Sequence, residues 1–245
     1  MSTSTTLHGQ TVVVIGGSSG IGLEIARSAR AEGAGVVLTG RDRERLAKAA
    51  AEVDARGHAA FDATDSVRLA DFLRSLDAPV DHIVVTAGRP YYAPLAEMDV
   101  ADASRYVAEH VRVHLELARH AAGTVRPGGS LLFMSGTGAR RPNVGISVTA
   151  LLTAGLPALT ANLALELAPI RVNLIAPGFV DTPLSASLLG EALDARRDQL
   201  RATLPIGRVV GPQDVAALAV HVLANTALTG ATYDVDGGQQ LLGHG

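Results

Sequence analysis

Seven residues near the N-terminus carry the clearest chemical signal. The β-branched run Thr11-Val-Val-Val-Ile15 ends in Gly16-Gly-Ser-Ser-Gly20-Ile-Gly22, and an amphipathic stretch follows over 23–32. A buried strand, a glycine turn and a helix in that order aim backbone N–H groups and the positive end of a helix dipole at one point, as pyrophosphate binding requires. Tyr91 and Tyr92 follow Thr86-Ala-Gly88, on a segment expected to leave the C-terminal end of a strand, where open α/β sheets bind ligands. Their phenols can donate a proton; the alternative is that, beside Pro90 and Pro94, they line a pocket or cover an apolar edge. His110 titrates near neutral pH and reads either as an acid–base group or as a hydrogen-bonded helix histidine. His110 and His114 are spaced to share a metal ion, but no third ligand stands at matching spacing, so no metal site is assigned. Arg140 and Arg141 read as an anion-binding pair or as a solvent-facing one.

The elements that must position these groups alternate along the chain. Short apolar runs at 11–15, 36–39, 59–61, 82–85, 130–134, 171–176 and 232–235 predict strands. Helical patterns fall at 23–32, 41–56, 67–76, 101–122, 148–168, 185–202 and 212–223. Strands separated by helices pair in parallel through right-handed crossovers. The expected fold is therefore α/β, a doubly wound, seven-stranded, mainly parallel sheet in one domain over 1–245, with 1–8 as a flexible tail. Pro157, which withholds a donor from the Thr153 carbonyl, and Gly155 predict a distorted backbone in the 148–168 helix.

Five segments in order resemble the short-chain dehydrogenase/reductase family, from about Gly9 to Gly238. Gly16 to Gly22 is similar to its glycine loop, Asp62-Ala-Thr-Asp65 to its adenine-contacting segment, and Thr86-Ala-Gly88 to an altered Asn-Asn-Ala-Gly motif. Arg171-Val-Asn-Leu-Ile-Ala-Pro-Gly178 with Thr182 resembles the segment around the nicotinamide, and Asp234-Val-Asp-Gly-Gly238 the C-terminal signature. The resemblance implies a Rossmann fold and a dinucleotide held by Gly16, Ser18, Ser19, Gly20, Ile21, Gly22, Asp62, Ala63, Thr86, Ala87, Gly88, Pro177, Gly178, Val180 and Thr182. Where an acid would receive the adenosine ribose of NAD, the chain has Thr39-Gly40-Arg41; Arg41 can pair with a 2′-phosphate, which favours NADP(H) over NAD(H). The family's proton donor is a tyrosine, with a lysine four residues later and a serine thirteen before. Counting back from Glu166-Leu-Ala-Pro169 places these positions on Thr149, Thr153 and Gly136, with Ser135 and Thr137 flanking the last. Between Gly136 and Pro169 there is no Tyr and no Lys, and Lys48 is the chain's only lysine. The family's helical asparagine falls near His110. Candidate catalytic groups are therefore Tyr91, Tyr92, His110 and Ser135.

A net charge of −3 gives no footprint for nucleic acid or an anionic membrane. The absence of cysteine excludes disulfides and thiolate chemistry. Residues 1–10 lack an export signal, and no uninterrupted apolar run reads as a bilayer span, so a cytoplasmic protein is expected. The resemblance implies a homodimer or homotetramer assembled through the two long helices. Three functions are consistent with these residues. The first is an NADP(H)-dependent oxidoreductase with a non-standard active site, moving hydride to or from a small apolar carbonyl, imine or enone. The second is a catalytically silent NADP(H)-binding sensor or partner subunit, and the third an isomerase or lyase that retains its cofactor. Leu184, Leu188, Leu189 and Leu204 suggest an apolar substrate lining.

Overall fold

Unbroken runs of Val, Ile and Leu make strands that are buried on both faces, and such strands pair in parallel when helices cover the sheet. The computed structural model describes residues 6–76 and 79–242. Strands β1 (Thr11–Ile15), β2 (Gly35–Gly40), β3 (Gly57–Ala60), β4 (Val80–Val85), β5 (Val125–Met134), β6 (Arg171–Pro177) and β7 (Thr232–Val235) form one sheet in the order β3-β2-β1-β4-β5-β6-β7, every pair parallel. The helices are α1 (Gly20–Ala31), α2 (Arg43–Glu52), α3 (Ser66–Ser75), α4 (Val100–Thr124), α5 (Ser147–Glu166), α6 (Pro183–Leu189), α7 (Leu193–Thr203) and α8 (Pro212–Ala224).

The period of two in β1 divides the core. Val12 and Val14 join Ile25, Leu46, Val215 and Val222 beneath α1, α2 and α8. Val13 and Ile15 join Leu73, Leu117, Phe133 and Leu156 beneath α3, α4 and α5. Chain order reverses between β1 and β4, so the loops leaving these two strands diverge and open a crevice at their C-terminal ends.

Several elements depart from the sequence reading. Residues 6–8 are no loose tail: Leu7 is fully buried, its N–H donates to Glu32 O at 3.1 Å, and the Thr6 hydroxyl donates to the Glu32 carboxylate at 2.8 Å. Residues 1–5 lie outside the described residues. β5 starts at Val125, because Gly128, at φ +80°, absorbs a register shift against β4. The stretch 185–202 is broken by Gly190 at φ +52° into α6 and α7. α5 runs unbroken through Pro157. It is also long and apolar enough to cross a membrane, with mean hydropathy 1.6 and a third of it buried, which corrects the expectation that no such segment exists. Within this fold its inner face, including Leu152, Leu156 and Leu163, packs on the core, and its outer face leaves Leu151 and Leu165 exposed at 62% and 80%.

Candidate functional site

The crevice is a cleft of about 620 Å³. Its floor is the glycine turn. Gly16, at φ +98°, receives Ala87 so closely that an added Cβ would lie 2.6 Å from the Ala87 nitrogen, so no side chain is tolerated there. Thr86 fastens the turn to β4: its hydroxyl lies 3.1 Å from Gly16 O and 3.3 Å from Ile15 O. Ser19 precedes α1 and makes no side-chain capping bond, whereas Asp42, Asp65, Asp99 and Thr182 cap α2, α3, α4 and α6. The first N–H groups of α1 are thus left available at the cleft, an arrangement that suits an anion.

Gly16, Ser18, Ser19, Gly20, Ile21, Gly22, Arg41, Asp62, Ala63, Thr86, Ala87, Gly88 and Thr182 all line the cleft. Arg41 stands 3.8 Å from Asp62, and Arg45 lines the wall beside it. The Asp42 carboxylate accepts from Arg45 N at 3.0 Å and caps α2, so the acid next to Arg41 is already engaged. Pro177, Gly178 and Val180 do not line the cleft. They build the turn after β6, where Gly178 N donates to Val235 O at 3.1 Å.

The catalytic candidates separate. None of Ser135, Gly136, Thr149 and Thr153 lines the cleft. Thr149 clasps the loop after β4: its hydroxyl accepts from Tyr91 N at 3.1 Å and donates to Tyr91 O at 2.7 Å. Ala93 N to Gly145 O, 2.9 Å, holds the same loop one step on. The Thr153 hydroxyl turns back on its own helix, to Thr149 O at 2.9 Å. Ser135 Oγ is buried with no partner among the described residues. A Cβ on Gly136 would meet only ordinary contacts, the nearer to Pro177 O at 3.6 Å, so space for a serine remains.

Tyr91 lines the cleft, and its hydroxyl donates to Asp99 O at 3.4 Å. Tyr92 is 57% exposed and stands outside the lining. His110 lines the cleft, with its pKa lowered to about 4 by burial and by the neighbouring His114, so near neutrality it is an uncharged imidazole, one ring nitrogen donating and the other accepting. Desolvation raises the Tyr91 and Tyr106 phenols, which weakens them as acids. Tyr106 was missed by the sequence reading although it stands one helical turn before His110, on the same face of α4, a periodicity that marks it. Arg140 pairs with Asp234, and Arg141 Nη1 donates to Gln239 O at 3.0 Å, so both hold the C-terminal segment. Of the four leucines expected at the substrate, Leu184 lines the cleft, while Leu204 is 5% exposed in the core.

The family model described as enoyl-(acyl carrier protein) reductase matches residues 15–240. The chain is similar to the short-chain dehydrogenase/reductase ATR9 of Stachybotrys chlorohalonatus (strain IBT 40285), 32% identical over 256 residues, which cover 95% of this chain and 98% of the relative. Among solved structures it is similar to MalC reductase/Diels-Alderase from Malbranchea aurantiaca, with a TM-score of 0.90 at 26% identity, covering 98% of this chain and 99% of that one. It is also similar to a small-chain dehydrogenase in complex with NADPH, with a TM-score of 0.81 at 29% identity over 95% and 99% of the two chains. With the sheet order, the glycine turn and these matches agreeing over nearly the whole length, the chain belongs to the short-chain dehydrogenase/reductase family of oxidoreductases.

Proposed function

We propose that this protein is an NADP(H)-dependent reductase whose substrate accepts hydride without help from a protein acid, an iminium ion or a conjugated enone. The observation that carries the reading is the clasp between Thr149 and Tyr91, because the hydroxyl at the family's proton-donor position has its proton and a lone pair committed to backbone. A threonine hydroxyl is in any case too weak an acid to replace a phenol near neutral pH.

The glycine turn and the uncapped start of α1 fit a pyrophosphate, and Arg41 with Arg45 fits a 2′-phosphate better than a free ribose hydroxyl. The solved relative in complex with NADPH supports the same cofactor. When bound, the reduced nicotinamide would supply the hydride. An iminium ion accepts it as the C=N electron pair withdraws onto nitrogen and cancels the charge; an enone accepts it at the β-carbon and collects a proton afterwards from water. An ordinary ketone needs a proton at oxygen during the transfer, and acid catalysis of that kind is worth about 10²–10⁴ in rate.

The test is 4-deuterated NADPH offered with matched ketones, imines and enones, with deuterium in the product read by mass spectrometry. Label in imines or enones and none in ketones supports the reading; label in ketones at equal rate refutes it. A second reading, an isomerase that retains its cofactor, draws on the similarity to MalC, a protein described as both reductase and Diels-Alderase. Product formation without nicotinamide consumption identifies it, and NADPH binding with neither outcome assigns the silent-sensor role. The apolar outer face of α5, with Leu151 and Leu165, and the neighbouring α4 groove around Val111 and Leu115 support assembly into a homodimer or homotetramer through these two helices.

A further inference from the structure

Most of the donors along the α4 wall of the cleft are already engaged. The Tyr106 hydroxyl donates to Arg89 O, and the Tyr91 hydroxyl, on the loop after β4, donates to Asp99 O. His114 Nδ1–H donates to His110 O, and its Nε2 is sealed inside the fold. Asp102 and Glu109 bring carboxylates, which accept, and Arg105 is exposed and paired with Asp102.

The His110 imidazole is not engaged. Neither of its ring nitrogens makes a hydrogen bond among the described residues, and neither is sealed away as His114 Nε2 is. The ring is half-buried and lies against the loop leaving β4, where a Cβ on Gly88 would stand 3.7 Å from its Cε1. Tyr106 and His114 hold it from two sides, with ring centroids 5.9 and 4.8 Å away. Burial and the neighbouring His114 keep it uncharged near neutrality, and an uncharged imidazole still carries one N–H. Such a donor hydrogen-bonds an oxyanion without surrendering its proton, because imidazole is a far weaker acid than imidazolium.

We infer that the His110 ring N–H donates a hydrogen bond to the carbonyl oxygen of a conjugated enone and stabilises the enolate that forms as hydride arrives. The inference rests on the hydride-transfer reading and selects the enone over the iminium ion within it, since an iminium ion gains its electron pair at nitrogen and develops no negative oxygen. Hydride forms a C–H bond at the β-carbon, the C=C pair shifts to the bond between the α-carbon and the carbonyl carbon, and the carbonyl pair moves onto oxygen. The nicotinamide is oxidised in the same step. The imidazole keeps its proton; the α-carbon then takes one from water and the carbonyl re-forms. Tyr91 and Tyr106, with ring centroids 5.4 Å apart, line the cleft beside the imidazole and offer aromatic surface to a flat conjugated substrate. A saturated ketone would instead develop a full alkoxide, which needs the proton that the imidazole withholds.

The test uses benzylideneacetone, a flat enone, bound to NADP⁺-loaded protein, which has no hydride to give. Isotope-edited infrared spectroscopy, with carbon-13 at the carbonyl, reads its C=O stretch. The stretch should lie lower in the wild-type complex than in His110→Phe, which keeps a ring between Tyr106 and His114 but has no N–H, and His110→Gln, which keeps an N–H, should recover part of the difference. Deuterium transfer from 4-deuterated NADPH to the same enone should fall by about 10²–10³ in His110→Phe, the loss expected for one oxyanion donor. In wild-type protein labelled with nitrogen-15 histidine, the His110 ring N–H resonance should move downfield when the enone is added. An unmoved resonance overturns the inference even where His110→Phe fails to fold, and so does failure of the enone to bind. A stretch unchanged in His110→Phe, with deuterium transferred at the full rate, rejects the His110 contact and keeps the reductase. A stretch that depends on His110, with no label transferred by the wild type, keeps the contact and rejects the reductase.

Discussion

Acid should unfold this protein well before its carboxylates titrate, and the responsible groups are histidines. His82 is 2% exposed between Ser130 Oγ, 2.8 Å from Nδ1, and Gln10 Oε1, 2.6 Å from Nε2. Burial, and then the nearby Arg171, lower its pKa from 6.5 to about 4; His110 is lowered equally, by burial and His114. In the unfolded chain both protonate near 6.5, so as the pH falls below that value the unfolded state takes up two protons that the native state refuses. Stability is therefore complete above about 6.5 and is lost as the pH falls toward 4, at up to about 2.7 kcal/mol per pH unit for the two residues together. The gap from 6.5 to about 4 is worth about 3.4 kcal/mol per histidine, so about 7 kcal/mol is lost in all, against a typical total of about 5–15 kcal/mol. His114, also lowered by burial, adds to the loss. Urea unfolding at a series of pH values reads the slope directly, and His82→Gln, which keeps a hydrogen-bonding side chain but cannot titrate, should reduce it by about one proton. Asp214, lowered by its bond to Arg208, loses stability with acid in the same sense, but only below its ordinary 3.8, and so leaves this window clear. A stability that stays flat between about pH 6.5 and 4.5, or an unchanged slope in His82→Gln, would refute the reasoning.

Gly16→Ala places a Cβ 2.6 Å from the Ala87 nitrogen at a backbone φ of +98°, so it should cost about 2 kcal/mol in urea unfolding and weaken NADPH by more than about tenfold in a fluorescence titration. Arg41→Ala combined with Arg45→Ala should weaken NADPH by about tenfold or more and leave NADH nearly unchanged, measured by competition binding. Arg171 is 5% exposed, and its guanidinium donates to the carbonyls of Val222, Leu223, Asn225 and Leu228 at 2.7–3.2 Å; Arg171→Met strips these acceptors and should cost about 3–5 kcal/mol by urea denaturation. Leu151→Glu with Leu165→Glu charges the exposed face of α5 and should shift the molecular mass in light scattering toward the monomer, with the fold retained in circular dichroism.

The alternation of β-branched runs with helical patterns carried the fold, because a strand buried on both faces leaves an unbroken apolar signature. Boundaries slipped where glycine settled them: Gly190 broke a predicted helix, and Gly128 let β5 begin five residues early. Leu7 gave no local sign of burial, since its place depends on a contact with Glu32 across the end of α1. The cofactor half of the cleft was legible because the glycine turn encodes its own geometry. The substrate half was not. Tyr92 and Tyr91 are adjacent in sequence, yet only Tyr91 faces the cleft, and the decision is made by Thr149, fifty-eight residues away. Tyr106 and Glu109 escaped notice because an amphipathic helix has a polar face whether or not that face binds anything.

The threonine at position 149 and the aromatic wall of α4 are parts of one arrangement. A tyrosine at 149 would leave the Tyr91 amide and carbonyl without the hydroxyl that now receives and donates to them at 3.1 and 2.7 Å. Without that clasp Tyr91 would lose its seat against Tyr106, 5.4 Å away, and with it the outer rung of the ladder that leads through His110 to His114. Thr149 on α5 therefore holds in place the loop that faces α4 across the cleft. The threonine at this position holds the loop and offers no phenol to give a proton. That clasp gives Thr149 a structural role that a tyrosine there would disrupt.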